Sequence, residues 1–318
     1  MNRSREAQSM KYIEFGKNDV KLSTVVLGMM RISSLSPKEV EKLIETALDS
    51  GINSFDLADC YGDGLCERIV GKVLSTRPDL RDRMWIQSKC GIRNEDGIKY
   101  FDFSKEHITE AIDGILTRLN TDHIDSLLLH RPDTLMEPAE INEAIDAAVK
   151  AGKIIDFGVS NMNPGMIELL KKEVSERVCV NQIQLSAAFT PSIDEGLHVN
   201  MGSDAAIVRD GWILEYCRRN NIVLQAWSVL QYGFFEGVFL GNPKFEKLNA
   251  VLNRIASEQD VDPSAVAIAW VLRYPHPIQA IIGTTKPQRV REMALAPEVT
   301  LSRKQWYEIY QSAGNTLP

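Results

Sequence analysis

The sequence lacks the features that mark several large classes of protein. No apolar run approaches the ~20 residues that a membrane-spanning helix needs. The first ten residues, MNRSREAQSM, contain no apolar stretch of the kind found in secretory signals. No block of like charges occurs, and the net charge is −7, so neither nucleic acid nor a membrane surface is expected as a partner. We therefore expect a cytoplasmic protein.

Cysteine is scarce and scattered. The five cysteines are odd in number and form no CxxC pair, which argues against a disulfide framework and against a zinc site. We expect reduced thiols and no metal. The cysteines are Cys60, Cys66, Cys90, Cys179 and Cys217.

The composition that remains is that of a globular protein. Of the 318 residues, 44% are apolar and 25% are charged, which is enough to build a large core. Residues 1–9 are expected to be a disordered leader, and residues 10–318 a single domain. Its first element is predicted to be a β-hairpin, in which Met10–Phe15 pairs with Lys21–Val26 across the turn Gly16–Asp19.

From residue 25 onward, short runs of branched apolar residues alternate with stretches that have helical spacing. The count of eight strand and helix units predicts an α/β fold, the closed parallel (β/α)8 or TIM barrel, with an additional outer helix at Ser302–Ser312. The predicted strands are Val25–Met29, Ser54–Ala58, Met84–Lys89, Ile124–His130, Ile155–Asn161, Cys179–Leu185, Val223–Val229 and Gln279–Thr285. The predicted helices are 37–50, 65–75, 104–119, 138–151, 163–174, 204–220, 243–274 with a break near Pro263, and 287–293.

A doubly wound open sheet is the main alternative to the barrel. Its nucleotide site normally requires a GxGxxG turn after the first strand, and this chain reads LGMMR there. The barrel is therefore favoured. Two long connections, Ser186–Ser203 and Gln231–Lys244, are expected to be functional loops, because long irregular loops in compact folds usually are.

Active sites of parallel barrels lie at the carboxyl ends of the strands, where this sequence places four chemically useful side chains. Asp56 lies within the second strand and Tyr61 follows it, Lys89 ends the third, and His130 ends the fourth. A buried carboxylate needs a cation, so an ion pair of Asp56 with Lys89 is predicted. The ammonium group beside Tyr61 is expected to lower the pKa of its hydroxyl. His130 would then orient a carbonyl oxygen or relay a proton to it.

Each of these residues also has a simpler explanation. A strand-end Asp or Ser is often a helix cap, and a lone histidine usually belongs to the core. Four such residues on three adjacent strand ends are much less often a coincidence, so we interpret them as a centre that protonates an oxygen while hydride reaches carbon.

The later strands end in neutral polar groups. Ser160, Asn161 and Gln182 suit recognition of a carboxamide, and a role for the first two as helix caps is equally open. Trp227 offers a flat face for stacking. The segment Gly283–Pro287, followed by Arg289, is typical of a phosphate site at a helix start.

The ordered motifs FDLADCYGDG, WIQSKCG, LLLHRPD and KAGKIIDFGVSN resemble those of the aldo-keto reductases, and the resemblance extends from residue 10 to the end of the chain. It implies Tyr61 as proton donor, Asp56 and Lys89 as its activating pair, and His130 as the orienting residue. It also implies that Ser160, Asn161 and Gln182 hold the carboxamide of the nicotinamide.

Within that family the chain is most similar to the bacterial ydhF-type oxidoreductases, through AWVLRYPHPIQAIIGTTKPQRV and LSRKQWYEI. The motif AWSVLQYGFF places Trp227 in the branch that has tryptophan instead of a stacking tyrosine. Gly283 stands where many members carry a lysine to the 2′-phosphate, and Met293 replaces an asparagine that contacts adenine, whereas Thr284 and Arg289 remain. NADP(H) is therefore the expected cofactor, with NAD(H) possible.

The implied reaction is reduction of an aldehyde or ketone by direct hydride transfer to a small carbonyl substrate, without a metal. The residues expected to contact the cofactor are Met29, Ser160, Asn161, Gln182, Trp227, Ser228, Leu230, Gly283, Thr284, Thr285 and Arg289. Those expected to line the substrate pocket are Met30, Phe189, Tyr232 and Phe234.

Two other functions stay open from the sequence. One is an NADPH-binding regulatory or sensor protein with little turnover, and the other is a lyase that forms a Schiff base on Lys89. The complete set of Asp, Tyr, Lys and His favours a reductase over a sensor, and the expected Asp56 pair disfavours a free nucleophilic lysine.

Overall fold

The computed structural model describes residues 10–18, 20–175 and 178–318, so the expected leader at 1–9 lies outside the described residues. Eight parallel strands close into a barrel in which the last strand pairs with the first, and helices alternate with the strands around it. The predicted (β/α)8 architecture is confirmed, with small shifts at the strand ends. The barrel strands, in order around the barrel, are β3 (Val25–Gly28), β4 (Ser54–Asp56), β5 (Trp85–Cys90), β8 (Ile124–Leu129), β9 (Ile154–Ser160), β10 (Val178–Gln184), β11 (Val223–Trp227) and β12 (Ile278–Ile282).

Capping side chains stabilise the starts of several helices. Ser36 and Glu39 form a reciprocal capping box at the first helix, and Ser302 and Gln305 form another at the last. The helices are α1 (Pro37–Asp49), α2 (Leu65–Thr76), α3 (Lys105–Leu119), α4 (Pro138–Lys150), α5 (Pro164–Leu170), α6 (Pro191–Leu197), α7 (Ile213–Arg219), α8 (Glu246–Gln259), α9 (Pro263–Leu272), α10 (Pro287–Met293) and α11 (Arg303–Ser312). Short 3₁₀ turns lie at Ile32–Ser34, Pro78–Arg83, Asp204–Ala206, Pro243–Phe245 and Ala296–Glu298.

The predicted helix 204–220 is wrong over its first half. Gly211 and Trp212 have positive φ angles of 75° and 61°, which an α-helix does not accommodate, so helix α7 begins only at Ile213. The preceding connection, predicted to be irregular, contains α6. The predicted break near Pro263 is present, because Asp260 leaves α8 with a φ of 53°.

A lower hairpin, formed by β1 (Tyr12–Phe15) and β2 (Val20–Ser23), closes the amino-terminal end of the barrel. Phe15 is buried and contacts the ring of Trp85 at the start of β5, with 5.7 Å between the ring centroids. The predicted hairpin is confirmed, except that its second strand stops at Ser23 because the barrel strand starts at Val25.

An upper hairpin, formed by β6 (Ile92–Glu95) and β7 (Ile98–Phe101), follows β5 at the opposite end of the barrel. It was not predicted from the sequence, although the turn Asp96-Gly97 between two short runs is a typical hairpin signal. Its apolar residues are mostly exposed, and Ile98 keeps 67% of its surface accessible.

The expected outer helix at the carboxyl end is present as α11. The rings of Trp306 and Trp270 are stacked with centroids 4.8 Å apart, and each indole N–H donates to the backbone oxygen of the other residue. Helix α11 is thereby attached to α9. None of the helices in the described ranges is long and apolar enough to cross a membrane.

Candidate active site

A cavity of about 630 Å³ opens at the carboxyl ends of the barrel strands. It runs from the loop after β3 and the upper hairpin to the start of α10. Its wall includes Asp56, Tyr61 and His130, whose positions at strand ends had suggested a reaction centre. The closed barrel brings them together because parallel strands all end at the same rim.

Lys89 is completely buried directly beneath this cavity. Its Nζ lies 2.8 Å from both carboxylate oxygens of Asp56 and donates to the backbone oxygen of Leu57 at 2.7 Å. A third hydrogen bond, of 3.2 Å, reaches the hydroxyl oxygen of Tyr61. The predicted ion pair is therefore present, and all three ammonium protons of Lys89 have acceptors.

The carboxylate of Asp56 is held from below by a layer of glutamines in the barrel interior. Gln87 and Gln182 donate to its Oδ1 at 2.7 and 2.9 Å. Both glutamines also donate to the side-chain oxygen of Gln225. This polar layer orients Asp56 and satisfies a charge that burial would otherwise make costly. The sequence analysis did not identify it, because single glutamines inside apolar strands carry no distinctive pattern.

The predicted lowering of the Tyr61 pKa is wrong in sign. Burial is the largest influence and raises the pKa of Tyr61 to about 12, although the charge of Lys89 acts in the lowering direction. For Lys89, burial opposes the charged form, but the carboxylate of Asp56 and the oxygen of Tyr61 outweigh it and raise the pKa. The tyrosine is therefore a protonated phenol and the lysine an ammonium at neutral pH.

His130 lies beside Tyr61, with the two rings edge to face and their centroids 5.8 Å apart. Burial, followed by the charges of Lys89, Arg131 and Lys99, holds the pKa of His130 well below its usual range, so the ring is neutral. Its Nδ1 is 3.6 Å from the sulfur of Cys60. Burial raises the pKa of the Cys60 thiol to about 12, which makes this cysteine a poor nucleophile.

Neutral polar groups form the next part of the wall. Asn161 donates to Ser160 Oγ at 2.7 Å and accepts from the indole of Trp227 at 3.1 Å, and Ser160 donates to the backbone oxygen of Gln182. The side-chain amide of Gln182 donates one N–H to Asp56 and the other to Gln225, so only its carbonyl oxygen is left for a ligand. These linked groups can accept from and donate to a carboxamide.

The far end of the cavity is lined by hydroxyls and cations. Thr284, Thr285, Lys286 and Arg289 line it between the end of β12 and α10, together with Met293. Two threonine hydroxyls beside two cations form a donor set that fits a phosphate group. The cavity thus joins groups that fit a carboxamide, a flat ring and groups that fit a phosphate, in the order that a nicotinamide dinucleotide requires.

Most of the remaining predicted contacts also line this cavity. Ser228, Leu230, Gly283, Met30 and Phe234 do so.

Three predicted contacts do not line it. Met29 is fully buried in the core, Phe189 lies in a tight turn in which it exchanges backbone hydrogen bonds with Ser186, and Tyr232 packs on Phe245. The direction that each side chain takes depends on the local backbone path, which strand position alone does not give.

The structure adds lining residues that the sequence analysis did not predict. Ile92 and Lys99 come from the upper hairpin, and Arg131 follows His130 directly. The missed turn signal at Gly97 would have identified the hairpin, and the position of Arg131 within LLLHRPD would have identified the arginine. Throughout the described part of the chain, no group of three or more His, Cys, Asp or Glu residues is placed to hold a metal ion.

Comparison with known proteins bears on this geometry. The model of the Aldo/keto reductase family matches residues 24–313. The chain belongs to this family. This match confirms the resemblance noted in the four motifs. Aldo-keto reductases are oxidoreductases that use NAD(P)H and act on small carbonyl compounds.

Individual aldo-keto reductases match along nearly their whole length. The 6-dehydroglucose reductase of Agrobacterium fabrum is 37% identical over 304 residues, which cover 92% of this chain and 95% of that protein. The oxidoreductase YdhF of Escherichia coli is 33% identical over 298 residues, covering 92% and 93%. An aldo-keto reductase from Klebsiella pneumoniae, solved in complex with NADPH, has the same fold with a TM-score of 0.75 at 23% identity, covering 96% of this chain and 95% of that one.

Proposed function

We propose that the protein is an NADP(H)-dependent reductase of aldehydes or ketones, in which Tyr61 protonates the carbonyl oxygen. The observation that carries the proposal is the orientation of one hydrogen bond. The hydroxyl oxygen of Tyr61 accepts from the buried ammonium of Lys89, so the tyrosine proton is left for an acceptor in the cavity.

Lys89 assists this step through its charge. As the proton leaves, negative charge grows on the Tyr61 oxygen, and an ammonium 3.2 Å away stabilises it in a site shielded from water. Asp56 keeps Lys89 in place and holds it protonated. The raised pKa of Tyr61 keeps the proton on the phenol until a carbonyl oxygen becomes basic enough to take it.

His130 orients the substrate in this proposal. A neutral imidazole has one donor nitrogen, and a thiol that remains protonated at Cys60 can donate to Nδ1. The ring proton then resides on Nε2, from which it can bond to the carbonyl oxygen beside Tyr61. Together the two donors place the oxygen and polarise the carbonyl.

A bound nicotinamide cofactor supplies the hydride in this reaction. Ser160, Asn161 and Gln182 would hold its carboxamide, Trp227 would stack on its ring, and Thr284, Thr285 and Arg289 would hold its phosphates. NADPH is preferred over NADH because Arg289 and Lys286 supply two cations at the far end of the cavity, even though Gly283 provides none.

The geometry disfavours a lyase. A Schiff base requires a neutral lysine amine that reaches the substrate, whereas Lys89 is fully buried, has three hydrogen-bond acceptors and has a raised pKa. A sensor protein would also bind NADPH in this cavity, and it is distinguished by the absence of turnover with every aldehyde.

The substitution Tyr61→Phe tests the function. It keeps the ring but removes the proton, and we expect kcat for aldehyde reduction to fall by roughly 10²–10⁴-fold, with the Kd for NADPH nearly unchanged. Stopped-flow absorbance of bound NADPH, with a panel that includes glyceraldehyde and sugar-derived aldehydes, measures both. Undiminished turnover in the variant would exclude Tyr61 as the donor, and no oxidation of NADPH by the natural sequence would favour the sensor.

The substitution Arg289→Ala tests the choice of cofactor. If Arg289 binds the 2′-phosphate, the Kd for NADPH rises by roughly tenfold or more, while the Kd for NADH changes little. Fluorescence titration with each cofactor measures the two constants. Equal losses for both cofactors would show that the arginine acts elsewhere on the dinucleotide.

A further inference from the structure

The cavity wall carries three cations besides those at the start of α10. Arg31, Lys99 and Arg131 line the cavity from three separate segments, and the charges of Lys99 and Arg131 act on His130. Within residues 10–18, 20–175 and 178–318, no carboxylate lies within ion-pair distance of any of the three. The acidic residues that line the cavity are elsewhere, since Asp56 is paired with Lys89, and Asp262 and Glu292 belong to the far end.

Arg131 is the cation placed nearest the chemistry, since it follows His130 directly. Its guanidinium carbon lies 5.5 Å from the ring centroids of both Trp227 and Phe234. Such contacts fix the position of the guanidinium but do not provide acceptors for its N–H groups. None of the described residues supplies an acceptor for this half-buried guanidinium, so Arg131 is ready to bind an anion.

Lys99 approaches the same space from strand β7 of the upper hairpin. The other cation of this hairpin, Arg93, is already neutralised by Asp102 and Glu95. In the described part of the chain Lys99 has no such partner, and it lines the cavity. Its charge and that of Arg131 both act on His130, which indicates that the two cations face the same space.

Apolar side chains line the cavity together with these cations. They are Met30, Ile92, Phe234 and Phe235. They can pack on a short apolar body but offer no hydrogen bonds to hydroxyl groups. A ligand that satisfies both kinds of wall has an apolar middle and an anionic end.

We propose that the natural substrate is a compact aldehyde or ketone that carries an anionic group, such as a carboxylate, and that Arg131 binds this group with support from Lys99. The inference rests on the proposed reductase function, since it assumes that the carbonyl lies at Tyr61 and His130. Because His130 and Arg131 are adjacent in the chain, the carbonyl and the anion are separated by a short spacer.

The decisive experiment compares substrates that differ only in charge. The pairs are 4-carboxybenzaldehyde with methyl 4-formylbenzoate, and 4-oxobutanoate with its methyl ester. We expect kcat/KM to favour the anion of each pair by roughly tenfold or more, and the preference to shrink between 0.05 and 0.5 M NaCl because salt screens the attraction.

Variants locate the preference. The measured quantity is kcat/KM for the anion divided by kcat/KM for its ester. Arg131→Gln is expected to bring this ratio to about one, and Arg131→Lys to keep part of the preference. Lys99→Gln is expected to lower the ratio by a smaller amount. Lys172→Gln removes an exposed cation outside the cavity and serves as the matched control, with the ratio unchanged. A general loss of activity lowers kcat/KM for the anion and the ester alike, so it leaves this ratio unchanged and is not mistaken for loss of the anion site.

Several outcomes would overturn the inference. One is an equal kcat/KM for anion and ester in the natural sequence, and another is an equal loss of kcat/KM for both substrates in Arg131→Gln. A third is a higher kcat/KM for neutral hydroxylated aldehydes such as glyceraldehyde. The last would make Arg131 a donor to hydroxyl groups.

A binding measurement separates this inference from the proposed function. Benzoate and benzamide are titrated into the complex with NADP⁺ by calorimetry, and we expect benzoate to bind more tightly in a manner that requires Arg131. If no aldehyde is reduced but benzoate still binds in this way, the reductase function fails and the anion site stands. If aldehydes are reduced and benzoate gains nothing from Arg131, the anion site alone fails.

Discussion

The two hairpins are alike in size but differ in what surrounds them. Each joins two strands of four residues, and each has a turn glycine with a positive φ angle. The lower hairpin packs Phe15 and Leu22 into the base of the barrel, whereas the upper hairpin leaves Ile98 and Phe101 exposed at the rim. One hairpin therefore closes the core, and the other supplies the wall of a binding cavity.

This difference indicates that one end of the barrel mainly stabilises the fold and the other end mainly forms the cavity. At the amino-terminal end, side chains interlock and are expected to contribute mainly to the free energy of unfolding. At the carboxyl end, side chains are left accessible to a ligand, and they stabilise the fold less. Paired substitutions in the two hairpins measure this division directly.

The largest expected effect is on the core contact of the lower hairpin. Phe15 is 1% exposed, and we expect Phe15→Ala to lower the free energy of unfolding by about 3–5 kcal/mol. Its counterpart Phe101 is 38% exposed, and Phe101→Ala should cost less than about 1 kcal/mol. Urea unfolding followed by circular dichroism measures both. Similar losses in the two variants would refute the comparison.

The turn glycines give a smaller but better matched contrast. Gly16 and Gly97 have φ angles of 70° and 79°, so alanine costs a similar backbone penalty of about 1–2 kcal/mol at either position.

The surroundings of the two glycines differ. A Cβ at Gly16 would lie 1.9 Å from the carboxylate of Asp156, whereas a Cβ at Gly97 would contact nothing within 4 Å. We therefore expect Gly16→Ala to cost about 1–3 kcal/mol more than Gly97→Ala in the same unfolding assay. Equal costs would mean that the lower hairpin can move away from Asp156.

The smallest effect is expected at the ion pair of the upper hairpin. Arg93 and Asp102 are partly exposed and lie 2.8 Å apart. Exposed pairs contribute little, so Arg93→Gln should change the free energy of unfolding by less than about 1 kcal/mol, and by less again in high salt. Thermal unfolding at low and high NaCl tests this. A loss of several kcal/mol would show that the upper hairpin is as tightly integrated as the lower one.

The reaction centre itself was predictable from single residues. Asp56, Lys89 and His130 lie at or next to the carboxyl ends of their strands, and any closed parallel barrel brings these ends to one rim, so their proximity follows from the order of the motifs. The ion pair of Asp56 with Lys89 followed because a buried charge needs a partner. The direction of the pKa shift of Tyr61 could not be predicted in this way. It depends on whether burial or the neighbouring ammonium has the larger effect on the pKa, and only the packed structure decides that.

Other features could not be predicted without the path of the backbone in three dimensions. The sequence could not distinguish Met29, which points into the core, from Met30, which lines the cavity, because the turn after β3 sets their directions. The prediction of a helix at 204–220 was wrong for a similar reason. The backbone N–H groups of Arg209 and Trp212 donate to the distant Glu195, and Trp212 has a positive φ angle that a helix does not contain.

By itself, the sequence determined the barrel, its lower hairpin and the family chemistry, because these depend on periodicity, on capping and on which residue ends each strand. The tertiary structure decided the rest. It placed the glutamine layer under Asp56, the upper hairpin over the cavity, and Arg131 and Lys99 beside the reaction centre. Contacts between distant segments depend on how the strands and loops pack in space, and a linear pattern does not contain that information.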